Sequence, residues 1–200
     1  LLGVLPCLFA EQCQSAFVIG LGTGATAGAL GNLDAMQRVV VAEISPGVEA
    51  ALPLFSSKHN GDASRNPRIE IRRGDAYRTL LRDGSQYDVI VSEPSNPWVT
   101  GVENLYSREF LLAAKQRLNP GGVYAQWFHL YESSRGALEL VLRTYASVFD
   151  AVAVWRGAGP DLILLGWNGA DRALDVARIE ARMKQSDYAT QLQSIQLEAP

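Results

Sequence analysis

The stretch that most constrains the fold is "AFVIGLGTGATAGAL", Ala16–Leu30, in which an apolar run ends in three closely spaced glycines and then continues with helix-forming residues. Such a pattern predicts a buried strand, a tight turn and a helix. Glycine has no Cβ, so Gly20, Gly22 and Gly24 allow backbone angles that other residues avoid and let a ligand approach the main chain closely. The stretch therefore predicts a strand-to-helix turn that can receive a ligand.

Short runs rich in Val, Ile and Leu alternate with helical segments, which predicts a doubly wound α/β fold with a mostly parallel seven-stranded sheet and helices on both faces. We expect strands at Ala16–Gly20, Arg38–Glu43, Arg68–Arg72, Tyr87–Ser92, Gly122–Trp127, Ala151–Trp155 and Leu162–Trp167. We expect helices at Thr26–Asn32, Pro46–Ser57, Tyr77–Leu81, Leu105–Leu118 and Ser133–Phe149. Only "RGAGPD" separates the last two strands, and this connection is too short for a parallel crossover, so it predicts an antiparallel C-terminal hairpin.

Composition excludes several classes of partner. The 200 residues carry a formal net charge of -3, and the Lys and Arg residues are scattered, so we expect no nucleic acid. Cys7 and Cys13 lack a second cysteine pair or a histidine cluster, which predicts free thiols and no metal. The opening run "LLGVLPCLFA" is shorter than the ~20 residues of a membrane span and has no preceding basic residue, which predicts a cytoplasmic domain. Without an initiator Met, the sequence is expected to be a piece of a longer protein.

Acidic residues follow the second and third predicted strands. Glu43 comes about 20 residues after the glycines, where a carboxylate can accept both hydroxyls of a ribose. Asp75 can accept from the exocyclic amine of adenine, while the Ala76 N–H serves a ring nitrogen. Either acid could instead cap a helix, and for Asp75 that alternative stays open. Together with the glycine turn, these residues predict an adenosine pocket within residues 1–170, with 171–200 forming a C-terminal helix and tail of the same domain.

The glycine run also bears on the cofactor. Its G-L-G-T-G-A pattern differs from the G-x-G-x-x-G spacing that holds a pyrophosphate at a helix N-terminus. With the terminal hairpin, it resembles the class I S-adenosylmethionine-dependent transferases more than the dehydrogenases. A nicotinamide dinucleotide remains the second alternative.

The segment "YDVIVSEPSNPWVTGVENLYSREF", Tyr87–Phe110, is the most specific feature of the chain. It resembles the spermidine synthase (polyamine aminopropyltransferase) family, in which the fourth strand runs into an acidic loop and then a helix. The resemblance extends to "RLNPGGVYAQWFHLY", and "SEPSNPW" followed by "LYSREF" is similar to a divergent branch whose members are often fused to membrane-spanning segments. It implies a class I methyltransferase type of fold and transfer of an aminopropyl group from decarboxylated S-adenosylmethionine to a polyamine.

Site residues follow from this resemblance. Glu93 aligns with the first loop aspartate of the family, the proposed base, and Asn96 with the second. The residues implied to line the amine channel are Tyr106, Gln126, Tyr131 and Glu132. In the glycine turn, Thr23 stands where the family usually carries an aspartate that contacts the aminopropyl amine. The resemblance also allows a homodimer and a fusion to an upstream β-domain or membrane segment.

Two further functions are consistent with the same residues. A methyltransferase that uses intact S-adenosylmethionine is favoured by Thr23, because an acid there would repel the carboxylate of that cofactor. A non-catalytic adenosine-binding domain is favoured by the replacement of a loop acid by Asn96. His129, after the fifth strand, could reach the site, and its near-neutral pKa as a residue type suits proton handling.

Overall fold

The computed structural model describes residues 1–55, 57–94, 101–131, 133–156, 159–169 and 174–194. The described strands are β1 Ser15–Ile19, β2 Arg38–Glu43, β3 Ile69–Arg73, β4 Tyr87–Ser92, β5 Leu118–His129, β6 Ala151–Arg156 and β7 Asp161–Asn168. The described α-helices are α1 Leu5–Phe9, α2 Ala25–Gly31, α3 Pro46–Ala51, α4 Ser57–Asn60, α5 Ala76–Arg82, α6 Arg108–Gln116, α7 Arg135–Val148, α8 Val176–Met183 and α9 Ser186–Ser194. Two short 3₁₀ helices lie at Leu52–Leu54 and Glu103–Tyr106.

The strands form one sheet in the order β3-β2-β1-β4-β5-β7-β6. All neighbouring pairs from β3 to β5 are parallel, whereas β7 runs antiparallel to both β5 and β6. The chain reverses its direction of travel across the sheet between β1 and β4, and open α/β sheets bind ligands beyond the carboxyl ends of the strands at such a point. The predicted seven-stranded doubly wound sheet with a terminal hairpin is therefore confirmed.

Both faces of the sheet are covered. The central strands are almost continuously apolar, and every residue of β4 is buried. One face packs against α1, α2, α8 and α9, with Leu30 and Tyr188 in that core. The other packs against α5, α6 and α7 around Phe110 and Tyr145. A strand buried on both sides needs apolar residues at successive positions, and this is the pattern that the sequence shows.

Two helices have ends that differ clearly from those predicted from the sequence. The helix expected at Pro46–Ser57 ends at Ala51 and continues as the 3₁₀ turn Leu52–Leu54, because Pro53 has no N–H for a helical bond. The helix expected from Leu105 starts at Arg108, where the Ser107 hydroxyl accepts a hydrogen bond of 3.2 Å from the Phe110 N–H. A serine N-cap of this kind fixes where the helix begins.

The N-terminal apolar run forms α1, which packs into the core of the first face. The prediction of free thiols is wrong, because Cys7 and Cys13 are joined in a disulfide with their Cα atoms 5.3 Å apart. The end of α1 turns the chain back and brings the two side chains together. No helix of the described ranges is long and apolar enough to cross a membrane.

The C-terminal segment forms two helices where one was expected, and both pack against the first face. Arg182 of α8 donates from Nη1 to the Ala10 carbonyl at 2.6 Å and from Nη2 to the Glu11 carbonyl at 2.9 Å. Tyr188 and Leu192 of α9 are buried in the same core. The described part of the segment 171–200 therefore packs against the same sheet as the rest of the chain.

Candidate functional site

The glycine turn lies between β1 and α2 and takes left-handed backbone angles at all three glycines. The φ values are 88° at Gly20, 51° at Gly22 and 83° at Gly24. A Cβ at Gly24 would lie 2.6 Å from Leu52 Cδ1, so a side chain there would clash as well as strain the backbone. A Cβ at Gly22 would have nothing within 4 Å. The turn therefore packs tightly at Gly24 and is open at Gly22, and the approach of a ligand to it stays a prediction.

Glu43 holds this turn in place from the end of β2. Its side chain is buried, with 7% of the residue exposed. Oε2 accepts a hydrogen bond of 2.8 Å from the Leu21 N–H, and Oε1 accepts one of 2.7 Å from the Ser45 N–H. A carboxylate oxygen has two acceptor positions, so each oxygen keeps one for a further donor such as a hydroxyl.

Two acids flank the turn at the carboxyl edge of the sheet. In the register, Ile19 pairs with Ala42 of β2 and with Ser92 of β4, so the next residues, Glu43 and Glu93, lie on either side of Gly20. Neighbouring strands are ~4.8 Å apart, which puts the two glutamate Cα atoms roughly 10 Å from each other. The sheet thus brings Gly20, Glu43 and Glu93 together, although Gly20 and Glu93 are more than seventy positions apart in the sequence.

Asp75 acts as a helix cap in the structure. Its Oδ1 accepts a hydrogen bond of 2.9 Å from the Arg78 N–H at the start of α5. Its backbone follows Gly74, whose N–H donates to the Glu43 carbonyl at 2.8 Å, so the end of β3 stays tied to the end of β2. Ala76 is the first residue of α5, and an N–H at that position has no acceptor within its own helix. The adenine contacts of both residues stay predictions, since the observed cap accounts for one oxygen of Asp75.

Glu93, unlike Glu43, is exposed. Its Oε2 accepts a hydrogen bond of 2.8 Å from the hydroxyl of Thr26 in α2, and its N–H donates to the Ile19 carbonyl at 3.1 Å. A carboxylate in this exposed position can act as the counter-charge of an ammonium group that comes near it.

Thr23 lies on the exposed side of the glycine turn, where its carbonyl accepts a hydrogen bond of 3.2 Å from Asn60 Nδ2. No carboxylate projects from this position. The turn consequently places no negative charge of its own at the point where the resembling family usually has one.

Gln126 of β5 lies below this edge and is fully buried. Its Nε2 is 3.3 Å from both Ser92 Oγ and the Leu105 carbonyl, and its Oε1 accepts from the Tyr145 hydroxyl at 2.5 Å. Burial raises the pKa of Tyr145, so this hydroxyl stays a donor at physiological pH. The amide is engaged at both ends with protein groups, and its part in substrate binding remains a prediction.

Tyr106, like Gln126, bonds to groups near the end of β5. Its hydroxyl donates to the Trp127 carbonyl at 3.1 Å, and burial raises its pKa. Only 8% of Tyr106 is exposed, so most of its ring packs in the core. It therefore fixes the end of β5 relative to the 3₁₀ turn Glu103–Tyr106, and its catalytic role remains a prediction.

Three aromatic side chains, Trp127, His129 and Tyr131, form a cluster at the end of β5. His129 is 6% exposed, and its ring centroid is 3.7 Å from that of Trp127 and 4.6 Å from that of Tyr131. Its Nδ1 lies 2.8 Å from Oδ1 of Asp161 in β7. Tyr131, predicted to line the amine channel, is 46% exposed. Sequence reasoning missed Asp161, because only the antiparallel register places it opposite His129.

Two predicted residues, Asn96 and Glu132, lie outside the described residues. A cavity of about 840 Å³ lies at the opposite edge of the sheet, between α1, α8 and the start of β6, and no residue predicted from the sequence lines it. A second cavity of about 430 Å³ includes Asp75. The carboxyl edge around Gly20 remains the candidate site because the two glutamates and the open turn meet there.

Comparison with known proteins gives a family match over most of the chain. The model of the Spermine/spermidine synthase domain matches residues 1–157. The polyamine aminopropyltransferase of Nitrosomonas europaea is 31% identical over 152 residues, which are 76% of this chain and 46% of that protein. Polyamine aminopropyltransferase 2 of Pseudomonas aeruginosa is 30% identical over 167 residues, which are 80% of this chain and 47% of that protein. The chain spans about half the length of these two curated relatives.

Solved structures with the same fold include a spermidine synthase and a methyltransferase-like protein. A spermidine synthase in complex with the transition state analogue AdoDATO has a TM-score of 0.76 at 16% identity, over 97% of this chain and 74% of that chain. Human methyltransferase-like protein 13 in complex with SAH has a TM-score of 0.72 at 20% identity, over 96% of this chain and 89% of that chain. The TM-scores show that the fold is shared. At identities this low, the reaction has to be argued from the residues of the site.

Proposed function

Since the chain belongs to the spermine/spermidine synthase family, we propose that it is an aminopropyltransferase acting on a polyamine. The observation that carries the proposal is the placement of Glu43 and Glu93 on either side of Gly20 at the carboxyl edge of the sheet. One acid is buried and faces the turn, and the other is exposed. Such a pair can bind the two substrates of a transfer reaction, with the buried acid at the nucleoside of the donor and the exposed acid at the acceptor amine.

The aminopropyl donor in this proposal is decarboxylated S-adenosylmethionine. The open backbone at Gly22 leaves room for it, and the free acceptor positions of Glu43 suit the two ribose hydroxyls. Adenine would lie toward the end of β3, with the exposed side chain of Asp75 and the Ala76 N–H as its polar partners.

The acceptor amine approaches Glu93. A polyamine nitrogen is mostly protonated at neutral pH, since alkylammonium groups have pKa values of ~10.4. The exposed carboxylate attracts this cation and, held by Thr26 at one oxygen, orients it with the other. Once a proton acceptor of the site or a water molecule has taken its proton, the nitrogen forms a bond to the propyl carbon while the bond from that carbon to sulfur breaks. The electron pair of that bond goes to sulfur, which leaves as methylthioadenosine.

A methyltransferase reaction is the second candidate, and Thr23 favours it. The exposed turn position carries no acid, so the carboxylate of intact S-adenosylmethionine would meet no like charge there. The same pocket would hold the adenosine in both cases. The two reactions differ in whether the amino acid part of the cofactor carries a carboxylate.

Calorimetry followed by a turnover assay tests the proposal. The purified domain is titrated separately with decarboxylated S-adenosylmethionine, intact S-adenosylmethionine, methylthioadenosine and NAD, and then supplied with putrescine. Binding of the decarboxylated cofactor and methylthioadenosine, with putrescine consumed, supports the aminopropyltransferase. Preference for the intact cofactor supports the methyltransferase. Binding of NAD alone overturns both, and binding without any turnover in the full-length natural chain points to a non-catalytic domain.

A further inference from the structure

A histidine and an aspartate form a pair at the same edge of the sheet as the candidate site. His129 is the last residue of β5, and Asp161 is the first residue of β7. The antiparallel register places the two opposite each other, with Nδ1 of the ring 2.8 Å from Oδ1 of the carboxylate. The ends of both strands are held by a hydrogen bond of 2.9 Å from the Leu130 N–H to the Pro160 carbonyl.

The pairing fixes the protonation pattern of the imidazole. A carboxylate only accepts hydrogen bonds, so Nδ1 of His129 must carry the hydrogen that lies between the two side chains. In the neutral ring, Nε2 then has the free lone pair, and it is the nitrogen that can take up a proton. The rings of Trp127 and Tyr131 pack on the imidazole and hold its plane.

The pair lies on the same face of the sheet as Glu93. Glu93 continues the alternation of Val89 and Val91, whose side chains lie in the core of the first face. His129 continues the alternation of Ala125 on that face. Since Ser92 pairs with Gln126, His129 is one strand across and two residues further along than Glu93, which gives a Cα separation of roughly 8 Å. In this register Trp127 is level with Glu93 on the same face, so a short amine bound at Glu93 would extend past the Trp127 ring toward His129.

Transfer requires that a protonated amine lose a proton before it can attack. A general base works best when its pKa lies near the operating pH. An imidazole, with an ordinary pKa of ~6.5, is about two units closer to an alkylammonium group than a glutamic acid of ~4.3 is. As residue types, histidine is thus the better proton acceptor, and a carboxylate is the better fixed counter-charge for a cation.

We propose that His129 accepts the proton of the acceptor amine, that Asp161 positions its ring, and that Glu93 serves as the counter-charge that binds and orients the ammonium group. This inference rests on the proposed aminopropyl transfer. A proton passes from the ammonium nitrogen to Nε2, which leaves a neutral amine and an imidazolium. The amine then attacks the propyl carbon as the bond to sulfur breaks, and the imidazolium returns its proton to solvent.

The titratable side chains that contact His129 among the described residues include the carboxylate of Asp161 from β7 and the phenol of Tyr131 beyond the end of β5. Replacement of Asp161 by Asn keeps an oxygen that can accept from Nδ1 and removes that charge, so it separates the electrostatic role from the positioning of the ring.

The test is a pH profile of kcat/KM for putrescine in four proteins: the wild type, His129→Gln, Asp161→Asn and His59→Gln. His59 is exposed in α4 and is the matched control for loss of a histidine. We expect His129→Gln to lose about 100-fold at pH 7, as for loss of a general base. We expect the loss to shrink below about 10-fold at pH 10, where much of the amine is already deprotonated. Asp161→Asn should lose less activity at pH 7 than His129→Gln, because its amide oxygen still accepts from Nδ1 and holds the ring.

The outcomes separate the inference from the function on which it rests. If the wild type transfers no aminopropyl group, the proposed function fails and the inference with it. If the wild type is active but His129→Gln loses the same factor at every pH, or loses nothing, the inference alone is overturned. Thermal midpoints and methylthioadenosine affinities equal to those of His59→Gln would show that the variants remain folded.

Discussion

The hydroxyl of Thr26 donates a hydrogen bond of 2.8 Å to Oε2 of Glu93. It joins the second residue of α2 to the first residue after β4, across 67 positions of sequence. Thr26 is nearly buried, whereas Glu93 is exposed. The bond therefore holds one oxygen of an exposed carboxylate from a buried residue, as an orienting carboxylate needs.

Replacement of Thr26 by Val should remove this bond with little change in volume. A hydrogen bond to a charged group contributes ~1.5–3 kcal/mol, so we expect kcat/KM for the amine to fall by about tenfold or more. Steady-state kinetics with methylthioadenosine binding as a second measurement checks this. Thr190→Val in α9, where the hydroxyl donates to the Ser186 carbonyl on an exposed surface, is the matched control. Equal losses in both variants would contradict the role of Thr26.

Replacement of Glu93 by Gln should spare nucleoside binding and slow transfer. The amide keeps the size of the side chain but loses the charge that attracts and orients the ammonium group, and we expect a loss of ~100-fold in kcat/KM. Calorimetry with methylthioadenosine and turnover of putrescine measure the two effects separately. Glu180→Gln, at an exposed position of α8, controls for the change in net charge. If binding and turnover fall together, Glu93 shapes the pocket and does not act on the amine.

Replacement of Glu43 by Gln should weaken both the fold and nucleoside binding. Both carboxylate oxygens accept backbone N–H groups, of Leu21 and Ser45, and an amide can replace only one of them. A donor left without its acceptor in this buried place costs ~1–3 kcal/mol in the free energy of unfolding. Chemical denaturation and calorimetry check the two effects.

The control for Glu43 is Glu70→Gln on β3. Glu70 forms exposed ion pairs with Arg38 and Arg72, and such pairs contribute ~0–1 kcal/mol. An unchanged free energy of unfolding and unchanged methylthioadenosine affinity in Glu43→Gln would show that the turn does not depend on this acid.

Acid should destabilise the β3 edge through Asp83. Burial raises the pKa of Asp83, but hydrogen bonds from Tyr87 and Arg72 outweigh it and hold the pKa below its usual range. A carboxyl whose pKa is lowered on folding contributes stability above its unfolded pKa of ~3.9, and this is lost as the pH falls through the folded pKa. We expect Asp83→Asn to cost ~2 kcal/mol at pH 7.

The pH dependence separates this effect from simple loss of packing. In unfolding measurements between pH 7 and pH 3, the gap between the wild type and Asp83→Asn should narrow as the wild-type carboxylate becomes protonated. Asp34→Asn, at an exposed position, should show no such gap. A gap of constant size down to pH 3 would mean that the carboxylate charge of Asp83 does not contribute.

The periodicity of the chain was sufficient to predict the sheet. A strand buried on both faces needs a continuous apolar run, and β2 and β4 carry such runs. Helix ends were less accurate, because they depend on single caps such as Ser107 or a break such as Pro53. The glycine turn was predicted because positive φ angles leave glycine as the residue of choice.

Other features of the site could not be predicted in this way. The disulfide between Cys7 and Cys13 depends on how the chain turns after α1. The amide of Gln126 is bonded at both ends by groups from β4, α7 and the segment before α6, and its contact with the amine stays a prediction. These partners belong to elements far apart in sequence, and local patterns carry no information about such contacts.

By itself, the sequence determined where strands, helices and the glycine turn lie and which acids follow the strands, because burial and backbone sterics act on neighbouring residues. Only the tertiary structure decided which side chains meet. Strand order and register place Glu93 within hydrogen-bond distance of Thr26, and His129 within hydrogen-bond distance of Asp161. Those depend on the packing of the whole sheet, and a shift of one residue would turn each side chain to the other face.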